Sequence, residues 1–334
     1  MISKNSFFQK INIFSDFRPS PRLVRGVDLA GQWAAPIMIV VVIIAAALVA
    51  PSFFKGSNLK NIAIQMSVLG VVTVGQTLVL LNRSIDMSVS AVLGLGAVIV
   101  VQTSAGNSIV LSLIQAFFIA ALIGLANGYL IAKRHVPPFV ATFGMLVFVA
   151  GARLAVTKGQ ASGTVPDLLR AISIENVGPI PAALLVWLIV NIVVIFVLRF
   201  TRYGRWIYAV GGNPGAAKYA GINVDWVIIG SHIAVSTLAM LGGLLLSGYV
   251  GYLDLTMGQD YNMNSIAAAV VGGTTFTGGR GNMFGTAAGV LLLIMLLNLV
   301  VVLGLPVQWQ YVMQGTVLVL ATALQGFRQF LLSR

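Results

Sequence analysis

Pro181-Ala-Ala-Leu-Leu-Val-Trp-Leu-Ile-Val-Asn-Ile-Val-Val-Ile-Phe-Val-Leu198 runs for eighteen residues without a charge. A run that long and that apolar is what a bilayer-spanning helix of about 20 residues requires. It is followed at once by Arg199-Phe-Thr-Arg-Tyr-Gly-Arg-Trp-Ile-Tyr-Ala-Val-Gly-Gly-Asn-Pro-Gly-Ala-Ala-Lys-Tyr-Ala-Gly-Ile-Asn-Val224, in which Arg199, Arg202, Arg205 and Lys218 precede the first acid, Asp225. An apolar span that ends in an excess of cations marks a chain leaving the membrane on the cytoplasmic side. The 199–226 loop is therefore placed in the cytoplasm.

The same pattern extends in both directions. Apolar spans fall at about 34–52, 61–82, 87–105, 108–132, 138–157, 181–198, 226–250, 264–277, 284–304 and 309–327. With 58% apolar and 8% charged residues, the chain has the composition of an all-α, polytopic membrane bundle. If the basic N-terminus starts inside and the spans alternate, fifteen of the twenty Lys and Arg lie inside. Only Lys55, Lys60, Arg153, Lys158 and Arg170 lie outside, which supports ten spans with both termini cytoplasmic. The span at 264–277 is short and Gly-rich, so it either crosses or re-enters. The longest external connection, about 158–180, is a docking surface or a linker.

Residues 1–33 form a basic cytoplasmic segment, and 34–334 the transmembrane domain. Phe7, Phe8, Ile11, Phe14 and Phe17 beside Lys4, Lys10 and Arg18 fit an interfacial amphipathic helix or a basic tail. A net charge of +12 spread over short loops orients a membrane protein and does not build a nucleic-acid site. Without cysteine there is no disulfide, thiolate metal site or thiol nucleophile.

Three stretches carry motif-like residues. In the basic loop, Asn213 has the place of an N-cap, Pro214 that of the first helical residue and Gly221 that of the left-handed residue after the last turn, predicting a helix of about two turns. Ser84-Ile85-Asp86-Met87-Ser88-Val89-Ser90 opens the third span, with Asp86 placed to accept from the amides of Ser88 or Val89. Gly272-Gly273-Thr274-Thr275-Phe276-Thr277-Gly278-Gly279-Arg280-Gly281-Asn282 has two glycines at phosphate-loop spacing, but Gly279 stands where a lysine is required. No Gly-Lys pair occurs, so this chain is not expected to bind ATP. Arg153 is expected to snorkel to the outer interface. His232, alone in its span, reads as a packing residue with no acid near it in sequence. Gln76, Asn127, Asn191, Asn298 and Gln314 either line a pathway for a hydroxylated solute or pair between helices. Acids in mid-span are not expected.

These three stretches and a fourth, in chain order and over roughly residues 50–330, resemble the permease subunits of ATP-binding-cassette (ABC) importers for ribose and related sugars. They are Gly75-Gln76-Thr77 with Ser84 to Ser90, Phe139-Val140-Ala141-Thr142, Gly211-Gly212-Asn213 with Ala216-Ala217 and Gly221-Ile222-Asn223, and Gly272-Gly273-Thr274 with Gly278-Gly279-Arg280. The chain departs from the family pattern where Pro214-Gly215 replace an acidic pair, where Asn262 and Asn264 replace another, and where Ser84 and Ser90 replace glycines.

The resemblance implies a bacterial inner-membrane subunit whose coupling helix docks on a separate ATPase that binds ATP and Mg, with no cofactor in this chain. It places the coupling contact at Gly212, Asn213, Pro214, Gly215, Ala216, Ala217, Lys218, Tyr219 and Gly221. Candidates for translocation or gating are Gln76, Asp86, Asn127, Gly272, Gly273, Thr274 and Asn298. The implied partners are the ATPase, a periplasmic solute-binding protein, a second permease subunit (identical or paralogous) and membrane lipid. A branched-chain amino-acid permease and an ion-coupled secondary transporter are the rival readings. The second would need an intramembrane acid, and Asp86 is its one candidate.

Overall fold

The computed structural model describes residues 21–104, 106–160 and 163–332. The helices in chain order are α1 Pro21–Val49, α2 Gly56–Leu81, α3 Val89–Thr103, α4 Ile109–Arg134, α5 Pro138–Thr157, α6 Asp167–Ile174, α7 Ala182–Phe200, α8 Arg202–Gly212, α9 Pro214–Tyr219, α10 Val224–Val250, α11 Tyr261–Val271, α12 Met283–Val302 and α13 Gln308–Leu332. A 3-10 turn, Pro51–Phe54, joins α1 to α2. Two short antiparallel strands, β1 Asn176–Val177 and β2 Ile180–Pro181, precede α7.

The bundle is organised around α2. Every residue from Ser67 to Leu81 is buried, as expected of a helix apolar all round. Along it pack α10, α7, α12 and α11, and α10 in turn packs along α4 and α3. Outward faces are apolar. Val110, Ile114, Phe118 and Leu122 on α4 and Ile189, Ile192, Val193 and Phe196 on α7 are all exposed, the surface a bilayer requires. Among the described residues, α2, α4, α5, α7, α10 and α12 are long and apolar enough to cross a membrane, and α3 and the 35–49 part of α1 are shorter apolar helices.

Several expectations change. Helix α1 begins at Pro21, so residue 33 is not an element boundary. The residues proposed for an interfacial helix, 7–17, lie outside those described. The 158–180 connection contains a helix, α6, which packs against α10. The stretch 264–277 is not one helix. α11 ends at Val271, and its eleven residues rise about 16 Å, half of the roughly 30 Å hydrocarbon core.

The bundle has two distinct ends. At one, called the basic end here, Arg83 meets the loop after α8, and Lys133 at the end of α4 pairs with Asp225 at the start of α10 at 2.6 Å. At the far end Thr164 bridges Tyr252, and Arg153 donates to the Leu255 carbonyl at 2.6 Å. The chain from 251 to 282 therefore passes from the far end to the basic end as a broken helix. Arg153 does not snorkel. It is buried, and it anchors the non-helical stretch 251–260 to the end of the bundle at Leu255. The reason is that α5 turns Arg153 toward α3 and that stretch, where a backbone carbonyl offers it an acceptor.

Candidate functional site

The basic end is built from the loop after α7. Thr201 caps α8 by accepting from the Gly204 amide, and α8 buries Ile207 and Val210 while Arg202, Arg205 and Trp206 stay outside. The sequence reading saw one short helix in this loop. The apolar residues Ile207, Val210 and Gly211, at helical spacing, were the signal for a second.

After α8 the Asn213 side chain accepts from the Ala216 amide at 3.0 Å, and Pro214 is the first residue of α9. Gly221, at φ +79°, ends α9 while the Ile222 amide reaches back to the Ala217 carbonyl at 3.0 Å. The helix is six residues long, less than the two turns expected. Its two faces differ. Gly215, Ala216, Lys218 and Tyr219 are exposed, Tyr219 at 96%, whereas Ala217 is 4% exposed and packs with Ile207, Val210 and Val227. Ala217 therefore belongs to the inner face, because the return of the chain at Gly221 lays that side of α9 on the bundle. Gly212 and Gly221 are exposed, and Pro214 is half-buried.

This projection is fastened to the bundle through backbone. Gly211 sits so close to the Leu81 carbonyl and the Gly279 amide that a Cβ would collide with both. The Gly279 amide donates to the Leu81 carbonyl at 2.9 Å. Arg83, itself at φ +62°, donates from Nε to the Gly211 carbonyl at 2.6 Å and from its other nitrogen to the Gly212 carbonyl. The Tyr208 hydroxyl donates to the Gly281 carbonyl at 3.0 Å, and burial pushes its pKa up, which keeps it a donor. The turn after α2 and the turn after α11 thus meet at the base of α9. Gly272 lies flush against the Gly285 carbonyl, Gly273 is at φ +91°, and the Thr274 amide donates to the Ala269 carbonyl at 3.0 Å. Small residues here let α11 and α12 touch at backbone distance.

Behind Arg83 lies a buried polar cluster. Asp86 Oδ1 accepts from the Ser88 amide at 2.8 Å and the Ser88 hydroxyl at 2.5 Å. Its Oδ2 accepts from His232 Nδ1 at 3.0 Å, and Asn127 Nδ2 reaches Ser88 Oγ at 3.0 Å and Asp86 Oδ2 at 3.5 Å. With Nδ1 donating, the other nitrogen of the neutral ring accepts from the Ser84 hydroxyl at 2.9 Å. Thr142 on α5 closes the turn by accepting from the Met87 amide at 3.0 Å.

Asp86 was expected as the cap of α3. It accepts the Ser88 amide, but Ser88 is the residue at the cap position, and Asp86 lies before it, in the turn. His232 has no acid near it in sequence, but the fold gives it one, because Asp86, 146 positions away, meets it here. Asp86 itself stays at a helix boundary, in the turn before α3. His232 is eight residues into α10 and Asn127 seven from the end of α4, a depth of about 10–12 Å. Ser84, His232 and Asp86 are ordered like a nucleophilic triad, yet Ser84 is 2% exposed and His232 and Asp86 are fully buried. A walled-in hydroxyl has no substrate to attack, so the cluster shapes a turn.

Two candidates lie elsewhere. Gln76 is fully buried on α2, and its amide nitrogen and oxygen have no partner among the described residues. Asn298 is at the far end, in a reciprocal amide pair with Asn58 at 2.9 and 3.0 Å. Among the described residues no group of three His, Cys, Asp or Glu is placed to hold a metal ion.

A bundle of apolar-faced helices with one broken crossing, fastened to an exposed two-helix projection, defines a multi-pass membrane transport subunit. The chain belongs to the family described as branched-chain amino acid transport system / permease component, whose model matches residues 58–322. It is 33% identical over 298 residues to the ribose import permease protein RbsC of Escherichia coli strain K12, covering 88% of this chain and 93% of that one. It is 31% identical over 303 residues to the fructose import permease protein FrcC of Rhizobium meliloti (87% and 84% covered). The galactose/methyl galactoside import permease protein MglC of Haemophilus influenzae is 29% identical over 306 residues (83% and 89% covered). No solved structure matches the chain.

Proposed function

We propose that this chain is the membrane-spanning subunit of an ABC importer and forms the translocation pathway for a sugar or sugar-like solute. The observation that carries the reading is the close joint between the Gly211-Gly212 entry to α9 and the turns after α2 and α11. A push on the exposed face of α9 reaches Gly279 and Leu81 through the backbone contact of Gly211, and Arg83 through its guanidinium bonds to the Gly211 and Gly212 carbonyls. From there it reaches the inner starts of α3 and α12, the kind of bistable element a partner can bias. The names of the similar permeases favour a sugar over the amino acid in the family's description.

In this reading the basic end faces the cytoplasm of a bacterial inner membrane, with ten crossings and both termini inside. The ATPase subunit binds ATP and Mg and docks on Gly215, Ala216, Lys218 and Tyr219. A periplasmic binding protein delivers the solute to the far end, and a second permease subunit completes the pathway. Residues 34–334 act as one transmembrane unit behind a cytoplasmic N-terminal segment. The test is co-purification of the ATPase together with solute uptake. Ala216→Glu and Tyr219→Ala are expected to insert normally and to lose both. Normal uptake and ATPase association in both variants would overturn the docking assignment. Epitope tags at residues 1 and 334 and within 203–219 are expected inside, and a tag near 170 outside.

A further inference from the structure

The far end of the bundle carries a half-open cavity of about 400 Å³, within the range of small-molecule sites. Six carboxamides line it: Asn58, Asn61, Gln65, Asn264, Asn298 and Gln310. The hydroxyls of Tyr249 and Tyr261 and the carboxylate of Asp260 complete its polar wall. Leu69, Ile294, Leu297 and Val301 form an apolar strip, and no lysine, arginine or histidine is among the lining residues.

Amides inside a membrane bundle ordinarily pair between helices, and part of this set does. Asn58 pairs with Asn298, and Gln65 donates to the Tyr249 hydroxyl at 3.3 Å. Asn264 is different. Its Oδ1 is buried and has no partner among the described residues. One wall of the cavity is also the end of the non-helical stretch 251–260 and the start of α11. Irregular backbone at membrane depth is tolerated where protein covers it or where it borders water. A polar wall with an unpaired acceptor fits the second condition.

The lining also selects the ligand. A carboxamide both donates and accepts, and so matches a hydroxyl in either sense. The apolar strip suits the C–H face of a sugar ring. A zwitterionic amino acid would find no cation for its carboxylate, and an unpaired buried charge is costly. The same face of α2 carries one more amide beyond the cavity. Asn58, Asn61, Gln65, Leu69 and Gln76 fall within about 80° of one another around α2, and Gln76 lies five turns, about 27 Å, beyond Asn58. Gln76 is the buried amide whose nitrogen and oxygen are both unpaired.

We propose that this cavity is a binding site for a neutral monosaccharide within a single subunit, and that Gln76 is the next polar contact on its way to the basic end. The ligand class rests on the importer reading above. The cavity itself rests on the geometry.

Because the chain has no cysteine, single cysteines report on the site without a background. Asn61→Cys, Asn264→Cys and, on the lipid-facing side of α7, Ile192→Cys are placed in the complete importer in intact cells. A membrane-impermeant trimethylammonium methanethiosulfonate is added outside. Asn61→Cys and Asn264→Cys are expected to label at least tenfold faster than Ile192→Cys. D-ribose, D-fructose or D-galactose at millimolar concentration should slow labelling of Asn264→Cys at least threefold, and L-leucine should not. Failure of Asn264→Cys to label while Asn61→Cys labels would overturn the aqueous cavity. Labelling that none of the three sugars slows, or that leucine slows, would overturn the ligand class. Uptake of the three sugars by the cysteine-free parent is measured alongside. If uptake is present but protection absent, only this inference fails. If uptake of all three is absent, the importer reading fails as well.

Discussion

Non-helical backbone enters the bundle at two depths, and the two places are packed in opposite ways. At the basic end the turns 82–88 and 272–282 are closed against each other and against Gly211, with Asp86, Ser88, Asn127 and His232 fully buried and joined by hydrogen bonds, and Asn82 Oδ1 and Asn127 Oδ1 left without a partner among the described residues but not beside the cavity. At the far end, 251–260 borders a cavity where Asn264 Oδ1 is left over. A turn that transmits force should be dry and paired, because any slack between α9 and α3 would absorb the motion. A turn that receives a hydroxylated solute should keep polar atoms unpaired, because the solute supplies their partners.

The sharpest way to break this contrast is to remove Asp86. Asp86→Ala leaves His232 Nδ1 and the Ser88 amide without an acceptor, and the expected loss is about 3–5 kcal/mol. Poor yield and a lowered unfolding temperature in detergent would report it. A variant as stable as the parent would mean that the cluster does not hold the turn. Ala217→Glu belongs beside it, since it places a carboxylate in the apolar cluster under α9 and should also fail at the level of folding. Gly211→Ala comes next. Its methyl group must displace the Leu81 carbonyl or Gly279, and an overpacking cost of about 1–3 kcal/mol is expected, with a drop in ATPase stimulation. At the far end the effects should be smaller. Asn298→Leu breaks the pair with Asn58 at about 1 kcal/mol, yet should impair solute uptake more than stability. Equal losses of stability from Asn298→Leu and Asp86→Ala would erase the distinction between the two ends.

What the sequence made legible follows from how locally each feature is encoded. The Asn213, Pro214 and Gly221 signals lie within nine residues and define the ends of α9 directly. Long charge-free runs located the full-length helices. The Asp86–His232 pair could not be read, since both residues look inert in their own spans and only the packing of α3 against α10 joins them. Arg153 misled for a related reason: snorkelling is the rule for an arginine near a span end, and the carbonyl that draws it inward is Leu255, over a hundred positions away. The cavity was hidden similarly. Its amides come from α2, α11, α12 and α13, so no single span shows the set.

The smallest expected effect on stability is the most informative about function. Ala216 and Ala217 are neighbours of one residue type, and sequence alone assigns both to a docking surface. In the fold they point to opposite sides, Ala216 outward and Ala217 into the cluster with Ile207 and Val210. Ala216→Glu should therefore change stability by less than about 0.5 kcal/mol, as exposed substitutions do. It nevertheless sets a new charge on the face of α9 that carries Lys218 and Tyr219. If that face meets the ATPase, the variant will be produced and inserted like the parent, yet will show no uptake and no stimulated ATP hydrolysis. Ala216→Ser, which keeps the side chain small, should retain both. Should Ala216→Glu transport normally, α9 is only a capped surface turn, and force must enter the joint at Arg83 and Gly211 from another surface.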